Sequence, residues 1–266
     1  MKSKDRLDNM AGGADASANL AVDAMQMSWS LWQFVPSELR AVLAAQATVR
    51  HFTSGQTVFH QGDAPTAIYG LVSGAIRHEV SVGEAAPALV SVLPRNHWFG
   101  EVAACGGFDH AYSAVCSGDV TAIELPVAAL NQLIDTLPAM ARLCMRWMAS
   151  KERLMRAYLA ETNAFTLEVR LARCLVTLQQ VFSEPYDGGR ILTIELSQED
   201  YGDLMGATRQ RINQIIQNWV HSGLIEARYK HIVIRNHDAL SALAGTLNTP
   251  VLSFMQPSLV RSAASA

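Results

Sequence analysis

The stretch from Ser197 to Leu224, SQEDYGDLMGATRQRINQIIQNWVHSGL, has little freedom in how it can fold. Ser197 followed by Asp200 has the spacing of a capping box, in which a hydroxyl and a carboxylate each satisfy a backbone N–H at a helix start. Tyr201, Leu204 and Met205 continue as an apolar stripe, and Gly206 supplies the left-handed residue that ends such a helix. Thr208 caps a second helix expected to run to Ser222, with Gly223 as its stop. In that helix Ile212, Ile215, Ile216 and Trp219 recur at the spacing of one inward face.

The opposite face carries Arg209, Gln210, Asn213, Gln214 and Gln217, with Arg211 beside them. No Asp or Glu occurs between Arg209 and Ser222, so nothing on that helix repels phosphate. Arg, Asn and Gln can make paired hydrogen bonds to guanine and adenine edges in a major groove. A helix-turn-helix places such residues near the start of its second helix. Ser197, Gln198 and Thr208, at the two helix starts, complete the expected DNA-contacting set. The bland alternative is a helical hairpin with a polar solvent face, but such faces usually mix Glu with Lys.

At 266 residues, half of them hydrophobic, the chain is long enough for two domains with real cores. No apolar run reaches the roughly 18 to 20 residues that span a bilayer. The N-terminus carries Lys2, Lys4 and Arg6, but Asp15 and Asp23 interrupt the residues after them, so no secretory signal is read and a cytoplasmic location is expected. The formal net charge is −3, and residues 164–236 hold equal numbers of basic and acidic side chains. A DNA-binding domain of that composition must gather its cations on one face, because affinity comes largely from phosphate neutralisation; Arg209, Arg211, Arg228 and Lys230 are the candidates. Cys105, Cys116, Cys144 and Cys174 are widely spaced, with neither a C-x-x-C pair nor zinc-type His spacing, which predicts reduced, partly buried thiols.

Residues 1–28, rich in Ala, Gly, Ser and Asp, are expected to be a flexible tail. Next comes an amphipathic segment, with a helix opening at Glu38. From Thr48 to Leu125 come short β runs punctuated by turn residues, among them Ser73-Gly74 and Ser117-Gly118-Asp119, which predicts a jelly roll. Pro138, in the first turn, opens a long helix. Met140, Leu143, Cys144, Trp147, Met148, Leu154, Met155, Tyr158 and Leu159 give it a broad apolar face, which Lys151 interrupts. A stripe wider than one seam suits packing on its own β domain and on a partner, with an internally buried helix as the alternative. Asn163 is the expected hinge and Thr166 the next cap. Arg170 and Arg173 are expected to face solvent or the DNA domain. Residues 184–191 read as a loop before a strand, Ile191 to Ile194. The expected organisation is therefore α+β: a sensor domain over 29–135, the long helix over 136–163, a DNA-binding domain over 164–245 and a flexible tail over 246–266.

The reading unit resembles the C-terminal domain of the Crp/Fnr (cyclic-AMP receptor protein-like) family of bacterial transcription regulators, through its capped first helix, Gly turn, Thr-Arg start and following Gly-Leu-Ile. The resemblance extends over about residues 30 to 245. HQGDAPTAIYGLVSGAIR is similar to the first half of a cyclic-nucleotide-binding β-roll, and WFGEVAACGGFDHAYSAV to the segment that cradles phosphate and ribose. It implies a winged helix-turn-helix whose wing, Ile225 to Arg235, sets Arg228, Lys230 and His231 near DNA phosphates. It implies that the long helix, through Met140, Leu143, Cys144, Trp147, Met148, Leu154 and Tyr158, pairs in parallel with a second copy. Inverted-repeat double-stranded DNA, a homodimer partner and, by analogy, RNA polymerase are the expected partners, with no membrane among them.

The resemblance is weakest at the effector. Relatives that bind cyclic AMP use a Gly-Glu pair for the ribose, matched by Gly100 and Glu101, and an Arg-Ser pair for the phosphate. The latter aligns with Tyr112 and Ser113, so the Arg is missing. Positions that offer hydroxyls to the adenine are Met155 and Arg156. An unknown effector other than cyclic AMP is therefore expected. Some Fnr relatives hold an iron–sulfur cluster through N-terminal cysteines, but residues 1–50 contain none, so no cluster is expected. Two further classes remain to be weighed: a nucleotide-type regulatory module controlling a partner protein, which leaves the Arg209 to Gln217 face without purpose, and an enzyme, for which no phosphate-loop, dinucleotide, zinc-protease or nucleophile-elbow motif is present.

Overall fold

The computed structural model describes residues 45–246. The tail expected over 1–28 and the helix expected to open at Glu38 lie outside the described residues, as does the tail beyond Thr246.

Two long strands frame the first domain. β1 (Thr48–Phe52), β2 (Thr57–Phe59), β3 (Ala67–Val80), β4 (Ala88–Pro94), β5 (Trp98–Phe99) and β6 (Ser113–Pro126) form one antiparallel sheet. Its order is β1-β6-β3-β4, with β2 also on β6 and β5 on β3. The turns expected at Ser73-Gly74 and Ser117-Gly118-Asp119 do not end strands. They are bends inside β3 and β6, which pair from Ala67 opposite Pro126 to Glu79 opposite Ser113, with register shifts on both sides of Ser73. Gly74 allows this: its φ is 83°, and a Cβ there would fall 2.4 Å from the Asp119 carbonyl oxygen. Bending lets one strand serve both walls of the roll.

Successive residues of a strand point to opposite faces, and β6 uses both. Ala122 joins Phe52, Phe59, Tyr69, Leu71, Ile76 and Phe99 inside the roll. Ile123 and Leu125 instead join a second cluster with α2 (Val127–Thr136) and α3 (Pro138–Ala164). α3 contributes Met140, Leu143, Cys144 and Trp147 to that cluster, and these four are buried. They were expected at a partner's surface; the roll of their own chain already covers them.

The helix break falls at Phe165, whose φ and ψ of −116° and 147° are extended, rather than at Asn163, which lies within α3. Thr166 then caps α4 (Leu167–Val181), its hydroxyl accepting from the Val169 N–H at 3.4 Å. Residues 184–191 are not a loop: β7 (Ser183–Tyr186) and β8 (Gly189–Leu192) form a hairpin. Its two turn residues, Asp187 and Gly188, take φ of 42° and 73°, the left-handed pair that favours Asp-Gly in tight hairpins. The hairpin extends the wing sheet, ordered β7-β8-β10-β9, where β9 is Ile225–Arg228 and β10 is His231–Ile234. α5 (Gln198–Met205) and α6 (Arg209–His221) pack with α4 and α7 (His237–Ala244) into a third cluster that also takes in Ala75, Leu89 and Val92 of the roll.

The DNA domain therefore sits on the roll, and polar contacts fix how. The Arg77 guanidinium pairs with Asp200 and Glu79. The Leu89 N–H donates to Asp203 Oδ2 at 3.0 Å, and the Tyr158 hydroxyl donates to the Leu204 carbonyl at 3.1 Å. Of the two placements expected for Arg173, solvent or the DNA domain, the structure has the second. It is 2% exposed, pairs with Glu161 at 2.6 Å and donates to the Ala244 carbonyl at 2.9 Å. Arg170 donates to the Met205 carbonyl at 2.8 Å. A buried cation stripped of its carboxylate is costly, so Glu161→Gln should lower unfolding free energy by about 3 kcal/mol, read as a lower urea midpoint with an unchanged slope.

Candidate functional sites

The reading unit is built largely from local signals. The Ser197 hydroxyl accepts from the Asp200 N–H at 3.1 Å while Asp200 Oδ2 accepts from the Ser197 N–H at 2.7 Å, completing the capping box. Gly206 ends α5 with φ of 60°, and the Ala207 N–H turns back to the Gly202 carbonyl at 2.8 Å. Gly202 is a requirement the sequence reading missed: a Cβ there would lie 2.7 Å from the Ala207 carbonyl oxygen. Thr208 caps α6, accepting from the Arg211 N–H at 3.4 Å.

Ile212, Ile216 and Trp219 of α6 are buried, and Ile215 is half-buried. The Trp219 indole N–H donates to Glu168 at 3.0 Å, fixing the rotation of the helix. Arg209, Gln210, Arg211, Asn213, Gln214 and Gln217 are consequently all exposed on one unit. Gln198 reaches across from α5 to donate to Asn213 at 3.0 Å, so the two helices present a joined polar edge. Among the described residues neither Arg209 nor Arg211 has an ion-pair partner.

The wing is more constrained. Arg228 pairs with Glu226 at 2.7 Å, donates to the Tyr186 hydroxyl at 2.5 Å and stacks 4.8 Å from that ring's centroid. Lys230, at φ 57° in the wing turn, lies 3.8 Å from Glu195. His231 is half-buried and donates through Nδ1 to the Leu192 carbonyl at 3.0 Å, which ties the wing to β8. A groove of about 340 Å³ separates α6 from the wing, with Gln198, Arg209, Arg228 and Lys230 on its walls.

The second site lies where the roll meets α3. Gly100, at φ 85°, leads into α1 (Glu101–Gly106) and leaves the Glu101 side chain fully buried. Glu101 Oε1 meets the Lys151 ammonium from α3; Oε2 has no hydrogen-bond partner among the described residues. Lys151, unexplained as a break in an apolar face, is thus the cation that offsets Glu101. Tyr112 stands near them, its hydroxyl accepting from the Gly100 N–H at 3.5 Å. Burial and the nearby Glu101 charge push its phenol well above the usual range. Its ring packs 4.0 Å from His78 and 5.8 Å from Phe59, centroid to centroid, and Phe59 stacks on His110 at 3.6 Å.

His78 is buried, with Nδ1 3.0 Å from the Ser91 hydroxyl and Nε2 unpartnered among the described residues. Burial first, then the Lys151 charge and His110, hold its pKa well below the ordinary value, so the imidazole is neutral. Ser113 accepts from the Gln61 N–H at 2.9 Å. Met155 and Arg156 are not brought to this cluster: Met155 is 49% exposed, and exposed Arg156 pairs with Glu152 one turn earlier. His78, His110, Phe59 and Lys151 are residues the sequence reading missed. Only Lys151 left a signal, as a charge inside an apolar stripe.

A β-roll joined through a long helix to a winged helix-turn-helix defines a transcription regulator with a sensor domain. Comparison with known proteins agrees. Residues 49–136 match the cyclic nucleotide-binding domain family and residues 169–243 the Crp-like helix-turn-helix domain family. The chain is 27% identical over 218 residues to the CRP-like cAMP-activated global transcriptional regulator of Mycobacterium tuberculosis, covering 80% of this chain and 96% of that protein. It is 27% identical over 197 residues to the fumarate and nitrate reduction regulatory protein of Escherichia coli K12, covering 72% and 76%. Among solved structures, FixK2 from Bradyrhizobium japonicum superposes with a TM-score of 0.63 at 18% identity, over 75% of this chain and 98% of that one. The chain belongs to the Crp/Fnr family of bacterial transcription regulators. It is a regulator and not an enzyme, and a sensor domain of this kind implies a small-molecule effector.

Proposed function

We propose that the chain works in the cytoplasm as a homodimeric, sequence-specific regulator that reads inverted half-sites and answers to an effector other than cyclic AMP. RNA polymerase is the further partner that the family likeness suggests. The observation that carries the DNA assignment is the exposed, carboxylate-free face of α6, with Arg209, Gln210 and Gln214 near its start. Arg209 and Gln214 specify bases; Arg228 and Lys230, set around the wing turn, contact phosphates. Control of a partner protein by the roll alone would leave that face unused.

The dimer reading rests on the outer face of α3. Ala141, Met145, Met148, Glu152, Met155, Leu159 and Thr162 recur in alternating steps of four and three residues, the seam of a two-helix coil. Met145 is 63% and Leu159 54% exposed, unlike Trp147 at 8%. Of the seven residues expected at the interface, only Met148 lies on this seam; Leu154 and Tyr158 are half-buried, and the Tyr158 hydroxyl is held by α5.

Cyclic AMP is set aside on charge. Tyr112 stands where a phosphate-binding Arg is needed, Arg77 is committed to Asp200 and Glu79, and Lys151 is spent on Glu101. A bound phosphate would face Glu101 with no free counter-charge beside it.

Three outcomes are expected. Arg209→Ala should weaken binding to a selected cognate site by about 1–3 kcal/mol with little change on random DNA; equal loss on both would mean that α6 is not the reader. Met155→Asp and Leu159→Asp should each sediment as monomers, whereas Trp147→Asp should fail to fold; intact dimers for the first two would rule out this seam. Calorimetric titration with millimolar cyclic AMP should give no saturable heat, because a missing charge-assisted contact alone weakens binding by roughly ten- to a hundredfold. Micromolar affinity would overturn that part of the reading.

A further inference from the structure

The wing sheet contains two hairpins, and they turn the chain with different residues. Asp187-Gly188 joins β7 to β8 inside the closing pair Tyr186 and Gly189. Tyr229-Lys230 joins β9 to β10 inside the closing pair Arg228 and His231. A two-residue turn needs left-handed backbone, which Asn, Asp and Gly adopt at little cost. The first turn obeys that rule, and the second does not. Lys230 takes φ of 57° without being glycine, and Tyr229 is 86% exposed. Neither a strained lysine nor a bare aromatic ring helps the wing to fold, and departures of this kind gather at functional sites.

The two turns lie at opposite ends of the sheet. β10 runs away from the wing turn and sets Ile234 opposite Arg190, next to the Asp187-Gly188 turn. Of the two, the wing turn borders the groove between α6 and the wing. Tyr229 lines that groove with Arg209, Arg228 and Lys230, and Glu199 is the one carboxylate on its walls among the described residues. Three cations against one carboxylate suit a phosphate strand. The Leu196 N–H donates to the Lys230 carbonyl at 3.0 Å, which holds the turn beside the start of α5. The Lys230 ammonium lies 5.7 Å from the Tyr229 ring centroid. The turn thus presents an apolar ring and an ammonium side by side, which match a deoxyribose and its phosphate.

We propose that Tyr229 is a DNA-contacting residue. The groove seats one sugar–phosphate strand of the duplex; the Tyr229 ring packs on a deoxyribose and its hydroxyl donates to the adjoining phosphate. The contact rests on the reading of α6 as the base-contacting helix. With Arg209 and Gln214 in the major groove, the strand that borders it passes between α6 and the wing. Arg228 and Lys230 neutralise phosphates, and their contribution fades as salt rises. Tyr229 works differently, because its ring takes apolar surface out of water and brings no charge. The contact adds affinity without reading sequence, since every nucleotide offers the same sugar.

The test measures binding of the full-length protein to a duplex selected from random-sequence DNA, and to a random duplex, over a range of salt concentrations. Tyr229→Ala should weaken both by roughly fivefold and leave the slope of log affinity against log salt unchanged. Tyr229→Phe should recover most of that loss. Lys230→Gly, which the left-handed turn accommodates, should instead lower the slope by about 0.9, the share of one phosphate. Hydroxyl-radical footprinting reads the exposure of each deoxyribose. It should show one position per half-site that the wild type protects and that Tyr229→Ala leaves open to cleavage. Circular dichroism checks that each variant is folded. Unchanged affinity or a lower salt slope for Tyr229→Ala would overturn the proposal, as would a loss that depends on the flanking bases or a Tyr229→Phe as weak as Tyr229→Ala. Arg209→Ala in the same assay separates the two readings. If it has no effect on the selected duplex, α6 is not the reader; if it has its expected effect beside an inert Tyr229→Ala, the Tyr229 contact alone is wrong.

Discussion

The arrangement of the molecule depends on one buried contact, the inner face of α3 against the β-roll. Met140, Leu143, Cys144 and Trp147 close over Ile68, Ile123 and Leu125, with Leu130 and Leu133 of α2 beside them. Burying each large side chain of this kind is worth roughly 1.5–3 kcal/mol. The contact therefore fixes α3 both along its axis and in rotation. Once the helix is set, its other faces have no choice of partner. Lys151 is delivered to Glu101, Tyr158 to the Leu204 carbonyl and Glu161 to Arg173, while Met145, Met155 and Leu159 are left outside. One helix thus carries the cation that meets Glu101, the ties to the DNA domain and the outer apolar stripe.

The docking of the DNA domain uses a residue that already has a structural duty. Asp200 caps α5 through Oδ2, which accepts from Ser197, and meets Arg77 through Oδ1. Burial alone would raise its pKa, but the Arg77 and Ser197 hydrogen bonds hold the carboxyl below the usual range. The cap and the interdomain pair share one ionised group. Releasing the DNA domain from the roll leaves Asp200 its cap and costs Arg77 only one of two carboxylates, since Glu79 remains 2.9 Å away. Neither side needs this ion pair for its own local structure, and the reading face of α6 is clear of it.

Features set by neighbours in the chain were legible from the sequence. The capping box, the Gly206 stop, the Thr208 cap and the polar face of α6 depend on residues within a few positions of each other, and the structure has them where the pattern puts them. Features set by distant residues were not. An apolar stripe on α3 shows that something covers it, but not whether the cover is the chain's own roll; hence Trp147 was misassigned to a partner. Ser73-Gly74 and Asp187-Gly188 carry the same kind of turn signal, yet one is a bend inside a long strand and the other a tight hairpin. The difference lies in what the flanking residues pair with across the sheet. Lys151 and His78 gained meaning only when the fold brought Glu101 and Tyr112 to them.

The junction of α1 with α3 is shaped by the cost of a buried carboxylate. Glu101 is fully buried, and a charge in that position must be matched. Tyr112 beside it offers no charge. Lys151 supplies it from α3, fifty positions on in the sequence. The match is incomplete: Glu101 Oε2 and His78 Nε2 are buried and lack partners among the described residues. Because Lys151 belongs to α3, its pair with Glu101 ties α1 to the helix that also meets the Leu204 carbonyl and Arg173.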